Sequence, residues 1–147
     1  MDTDSPFTEE EMAMLRPVFI ASGREHLVTM AQLQPELTAA VPDGEALKRF
    51  HRAIHSLKGA ALQMGFLQIG GLARMLERLV LVLQGGLPDD QGQWETLLQR
   101  GSELLEASLT ATEQQAEFTP EGALMTDLEA WLTQWEPASP GEQRATG

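Results

Sequence analysis

Apolar residues recur along most of this chain at intervals of three and four, the spacing that lines one face of a helix, and strand-like alternation is absent. The pattern predicts five helices. The first opens at Thr8-Glu9-Glu10-Glu11, a capping box, and carries Phe19, Leu27, Met30 and Leu33 to about Ala40. Pro17 and Gly23 fall inside it, so a kink or a division into two helices is expected there. The loop Val41-Pro42-Asp43-Gly44 offers Asp43 as the next cap. The second helix is predicted from about Gly44 to Met64, stopping at Gly65, and the third from about Leu67 to Gln84, stopping at Gly85-Gly86. The fourth follows Pro88-Asp89-Asp90 and carries Trp94, Leu97, Leu98, Leu104, Leu105 and Leu109. The fifth follows Thr119-Pro120-Glu121 and carries Leu124, Leu128, Leu132 and Trp135. Short connections make consecutive helices antiparallel, so the expected fold is all-α: an up-down four-helix bundle with an additional helix. One domain over residues 1–136 is expected. Residues 137–147, rich in Pro, Gly and Ala, read as a flexible tail or linker.

Two helices stand out. The third reads Leu72, Met75, Leu76, Leu79, Val80, Leu81, Val82, Leu83, apolar nearly all round toward its end, so that half is expected deep in the bundle. The second divides into two faces. On a wheel stepping about 100° per residue, Ala46, Phe50, Ala53, Leu57, Ala60, Ala61 and Met64 form an apolar stripe opposite His55. Lys48, His51, Arg52, His55, Lys58, Gly59 and Leu62 share the other face. His55 is therefore expected to face solvent. A lone exposed histidine is usually only a solvated side chain. Here Lys58 sits at i+3, where its ammonium can approach a group attached to His55. Gly59 sits mid-helix at i+4, at a cost of about 1 kcal/mol relative to alanine, and opens room for a bulky group or an approaching protein.

Charge sharpens this contrast. The chain has 147 residues, a net charge of −12 and a pI near 4.5. Such an acidic chain repels phosphate backbones and anionic lipid, so neither nucleic acid nor a membrane is an expected partner. Yet Asp43 to Arg78 holds six Lys/Arg (Lys48, Arg49, Arg52, Lys58, Arg74, Arg78) against three acids (Asp43, Glu45, Glu77). A basic patch on an acidic protein implies a local anionic partner. Cysteine is absent, which removes disulfides and thiolate sites and fits a reducing cytoplasm. The acidic start is unlike a secretory signal, and no apolar run is long enough to span a bilayer. Three separated histidines suggest no metal site.

The string His55-Ser56-Leu57-Lys58-Gly59-Ala60-Ala61-Leu62-Gln63-Met64-Gly65-Phe66 resembles the signature of histidine phosphotransfer domains. Phe50, Arg52, Ala53, Leu72, Ala73 and Glu77 extend the resemblance. Phe19, Glu25, His26 and Leu27 are similar to the first helix of the N-terminal domains of chemotaxis-type kinases. The resemblance implies that His55 accepts a phosphoryl group from a sensor histidine kinase or a phosphorylated receiver and passes it to a response-regulator receiver aspartate. Lys58 would stabilise the phosphoryl oxygens and Gly59 would give steric access. His51, Arg74 and Glu77 would orient the ring, with Arg74 standing where chemotaxis kinases carry a second histidine. Arg74 would pair with Glu77 or reach the phosphate. Leu47, Lys48, Arg52 and Leu62 would meet the partner. No nucleotide-binding loop is present, so the chain reads as a monomeric phosphoryl carrier that binds no cofactor, with Mg2+ on its partner. Two alternatives stay open: the phosphorylatable N-terminal domain of a larger chemotaxis-type kinase, and a non-catalytic scaffold. His51 is a rival nucleophile, out of register with Lys58-Gly59. The three tryptophans and the methionines read as packing residues.

Overall fold

The computed structural model describes residues 6–38 and 43–137, and among them the chain is wholly helical. The helices are α1 (Glu9–Leu37), α2 (Gly44–Gln63), α3 (Leu67–Gln84), α4 (Gln93–Glu113) and α5 (Gly122–Trp135). Packing runs α1 to α2, α2 to α3, α3 to α4 and α4 back to α1, which closes a four-helix bundle; α5 lies outside it against α3 and α4. The predicted architecture is the observed one. Val41, Pro42, the expected end of the first helix at Ala40 and the tail beyond Pro137 lie outside the described residues.

Local chemistry explains the ends. The capping box is formed: Thr8 Oγ1 accepts from the Glu11 amide at 3.1 Å, and the Thr8 amide donates to Glu11 Oε1 at 2.9 Å. Asp43 Oδ1 caps α2 through the Glu45 amide at 3.0 Å. At the other end Gly65 takes φ 84°, which lets the Phe66 amide reach Ala61 O at 2.9 Å and turns the chain directly into α3.

Three expectations need correction. α1 is one continuous helix of 29 residues despite Pro17 and Pro35. Gly23 does not break it; it is where α1 comes close to its neighbours. A Cβ there would lie 3.0 Å from a methyl of Leu109 on α4 and 3.3 Å from one of Leu57 on α2. The apolar end of α3 is only partly deep: Leu79, Val80 and Leu83 are buried, while Leu81 is 48% exposed because α2, α4 and α5 leave that side uncovered. On α2, Leu47 and Ile54 are buried together with the predicted stripe, of which Ala60 alone is only partly buried. Residues 47, 51, 54 and 58 form a second row at spacings of four, three and four, and this row faces α3.

The α3–α4 connection is held by Asp90, which is buried. Its Oδ2 accepts from the Trp94 amide at 2.9 Å and from Trp131 Nε1 at 2.6 Å, and its Oδ1 accepts from the Gly92 amide at 3.1 Å. One carboxylate thus starts α4 and anchors α5. Removing it leaves buried donors unpaired, at roughly 1–3 kcal/mol each. Asp90→Ala is expected to lower stability by roughly 2–4 kcal/mol in urea unfolding, and Trp131→Phe by less. Equal losses for the two variants would mean that packing, not the shared carboxylate, holds the corner.

Candidate functional site

α2 carries His51, His55 and Lys58 on successive turns, and α3 sets Glu77 opposite them. The Glu77 side chain is 9% exposed, and three groups converge on it. His55 Nδ1 lies 2.6 Å from Oε2. Lys58 Nζ donates to Oε1 at 2.6 Å. His51 Nε2 lies 3.1 Å from Oε2, off the line of a hydrogen bond, and is buried with no hydrogen-bond partner. The rings of His51 and His55 stack, 5.8 Å between centroids and 26° between planes. His55 is nevertheless 62% exposed in its side chain.

The charge state of Glu77 follows from competing effects. Burial works to raise its pKa, but the hydrogen bonds from Lys58 and His55, with their charges, together outweigh it and hold the carboxyl below its ordinary value. Glu77 is therefore an ionised acceptor near neutral pH. A carboxylate offers no proton, so the contact with neutral His55 requires the proton on Nδ1. The lone pair of that ring then sits on Nε2, on a side chain open to solvent. A histidine fixed in this tautomer presents a nucleophilic nitrogen of known position.

A family model described as the Hpt domain matches residues 14–115. The chain belongs to the Hpt domain family. No curated protein matches it. Hpt domains are helical phosphocarriers without an ATP site of their own, and they work with the kinases and receivers of two-component systems. The family match covers α1 to α4 and stops short of α5.

Against the Hpt signature, the residues expected at the site fall into three groups. His55, Lys58, Glu77 and His51 come together as described. Lys48, Arg52 and Gly59 are exposed around them, with Arg52 3.8 Å from Glu45. A Cβ on Gly59 would meet nothing within 4 Å. Leu62 is 43% exposed, and its side chain leans over Gly70 of α3, which has no Cβ in its way. Two expectations fail. Leu47 is 6% exposed and belongs to the α3-facing row, so it cannot meet a partner. Arg74 is exposed and, among the described residues, pairs with nothing; Glu77 points inward to α2, whereas Arg74 points outward. A second histidine, His51, approaches Glu77 from α2. The sequence reading also missed the Lys58–Glu77 contact. Its signal was present in the charge pattern: one acid on α3 opposite three basic groups on α2.

Loss of the carboxylate has a specific expected consequence. In 1H–15N spectra, neutral His55 should be the Nδ1–H tautomer. Glu77→Ala should shift it toward Nε2–H and loosen the ring. An unchanged tautomer in that variant would mean that Glu77 does not set it.

Candidate surfaces elsewhere lack comparable chemistry. One groove, about 530 Å³, runs between α4 and α5 beside Arg100, which is already paired with Asp127 and Glu121. No helix among the described residues is long and apolar enough to cross a membrane.

Proposed function

We propose that this chain is a histidine-containing phosphotransfer protein of a phosphorelay, with His55 as the phosphorylated residue. The observation that carries the reading is the pairing of an exposed imidazole with a buried carboxylate on its Nδ1 side, which leaves Nε2 as the free lone pair. Nε2 attacks the phosphorus of a receiver aspartyl phosphate or of a kinase phosphohistidine. The N–P bond forms as the donor's bond to phosphorus breaks, and that electron pair leaves with the donor's oxygen or nitrogen. Nδ1 keeps its proton, so positive charge develops on the ring. Glu77, ionised and 2.6 Å away, stabilises that charge. The return step to a receiver aspartate retraces the same path.

Lys58 has two roles in this reading. Before transfer it holds Oε1 of Glu77 and so fixes the carboxylate. After transfer its ammonium serves the phosphoryl oxygens, as phosphoryl transfer asks mainly for positioning and charge stabilisation. Arg74, exposed on α3, adds positive potential without ring contact. Gly59, open above, lets the partner's acidic site close over the ring. Lys48, Arg52 and Leu62 form the docking surface, complementary in sign to the carboxylates of a receiver. The partner supplies Mg2+, and the carrier acts in the cytoplasm as a monomer, since one exposed histidine needs no second copy.

The test offers the protein to a phosphorylated receiver or kinase and measures an acid-labile, alkali-stable label. His55→Gln should abolish it and His51→Gln should not. Lys58→Ala should slow labelling by roughly ten- to a hundredfold with the fold intact. A label that survives His55→Gln sinks the assignment.

Gly59 separates access from stability. Gly59→Ala is expected to stabilise the helix by roughly 0.5–1 kcal/mol, since nothing crowds the new Cβ, while a larger Gly59→Gln should slow transfer from the receiver. Unimpaired transfer by Gly59→Gln would show that the partner does not approach over this position.

A further inference from the structure

Along the chain the three histidines are too far apart to suggest a metal site, but in the fold α3 brings a carboxylate to two of them. Donor atoms of His51, His55 and Glu77 all lie within 4.8 Å of one another. His51 Nε2 and His55 Nδ1 both lie close to the same oxygen, Glu77 Oε2, at 3.1 and 2.6 Å. Lys58 holds the other oxygen, Oε1, and leaves Oε2 to the imidazoles. His51 Nε2 is buried and has no hydrogen-bond partner, a cost that a bound cation would remove.

We propose that His51, His55 and Glu77 form a binding site for a divalent transition metal of the zinc class. The donor set suits it: two imidazoles and one carboxylate are typical borderline ligands, and three protein ligands leave a fourth position for water. Metal–ligand bonds of about 2.0–2.2 Å at tetrahedral angles place donors about 3.3 Å apart. The present separations reach that value by movements of an ångström or so, and His55 is exposed enough to swing. The i, i+4 spacing of the two histidines on α2 brings both rings to one side, and Lys58 orients the carboxylate from behind.

The site also bears on phosphotransfer, and this part rests on the proposed role of His55. Metal at Nδ1 takes the position of the proton now shared with Glu77. The ring proton then resides on Nε2, which loses its free lone pair. A zinc-loaded chain therefore holds His55 in the tautomer that cannot attack phosphorus. By linkage, if bound metal disfavours phosphorylated His55 at equilibrium, phosphorylation weakens metal binding by the same factor.

The experiment has two arms. First, Zn2+ is titrated calorimetrically into the full chain in a non-chelating buffer with no phosphodonor present. One Zn2+ per chain is expected to bind with micromolar affinity, weakened roughly tenfold or more by His51→Gln and unchanged by His26→Gln. Ring-proton shifts of His51 and His55 should follow the same isotherm. Absence of stoichiometric binding, or binding indifferent to His51→Gln, overturns the site. Second, labelling from a phosphorylated receiver is compared with and without Zn2+. The ratio should fall several-fold in the wild type and stay near one in His51→Gln. Equal inhibition of both overturns the coupling. Binding without any labelling of His55 under any condition refutes the phosphotransfer reading and leaves the metal site standing.

Discussion

Burying a carboxylate without partners costs several kcal/mol, and Glu77 is almost wholly out of water. Everything at the site follows from how that cost is offset. Glu77 has to be met by donors from a neighbouring helix. α2 supplies them at positions 51, 55 and 58, one turn apart, so that one carboxylate reads two turns of α2. The ammonium takes Oε1 and the imidazoles take Oε2. Helix register and side-chain chemistry are thereby tied together: sliding α3 by one residue past α2 would leave the carboxylate unpaired. The basic window in an otherwise acidic chain has a structural cause here.

The packing around Glu77 makes this pairing rigid. Leu76, Leu79 and Val80 are fully buried on the same helix, and Gly101 of α4 gives way to the Leu76 side chain, which presses into the space a Cβ would fill. On α2 the row 47, 51, 54, 58 alternates apolar and polar members. Leu47 and Ile54 bury against the core, and His51 and Lys58, between and beyond them, reach the carboxylate. α2 is therefore held on two sides, by α1 and by α3, and no other helix among the described residues packs on its third side. This is how a side chain 62% exposed is still oriented: its ring hangs from a fixed helix and is tied at one nitrogen to a fixed acceptor.

Much of this was legible in the sequence, for stated reasons. Helix ends were legible because caps are local: Thr8, Asp43 and Gly65 act on residues within five positions. The stripe opposite His55 was legible because helical periodicity is rigid. What failed depended on neighbours. Gly23 looks like a breaker until Leu109 is known to lie against it. Leu47 shares a wheel sector with His51 and Lys58, and only the position of α3 decides how far each is covered. Arg74 stands three residues before Glu77, which suggests a pair along one helix; the stronger demand, from α2, turned Glu77 away from it. The third ligand for the two histidines was invisible because it lies on another helix.

His51 approaches Glu77 from the same helix that carries His55, and this changes what the orientation of the ring depends on. A ring oriented by a residue on a neighbouring helix moves whenever the two helices shift against each other. A ring stacked on another four residues earlier in its own helix is positioned by helix geometry, which barely changes. His55 is thus constrained twice, along α2 by His51 and across to α3 by Glu77. The second imidazole also gives Oε2 two nitrogen neighbours where a donor on α3 would have given it a different geometry. The arrangement that orients His55 is for that reason the same one that brings two imidazoles and a carboxylate together. Whether His55 holds a proton or a cation at Nδ1 decides whether its Nε2 is a nucleophile.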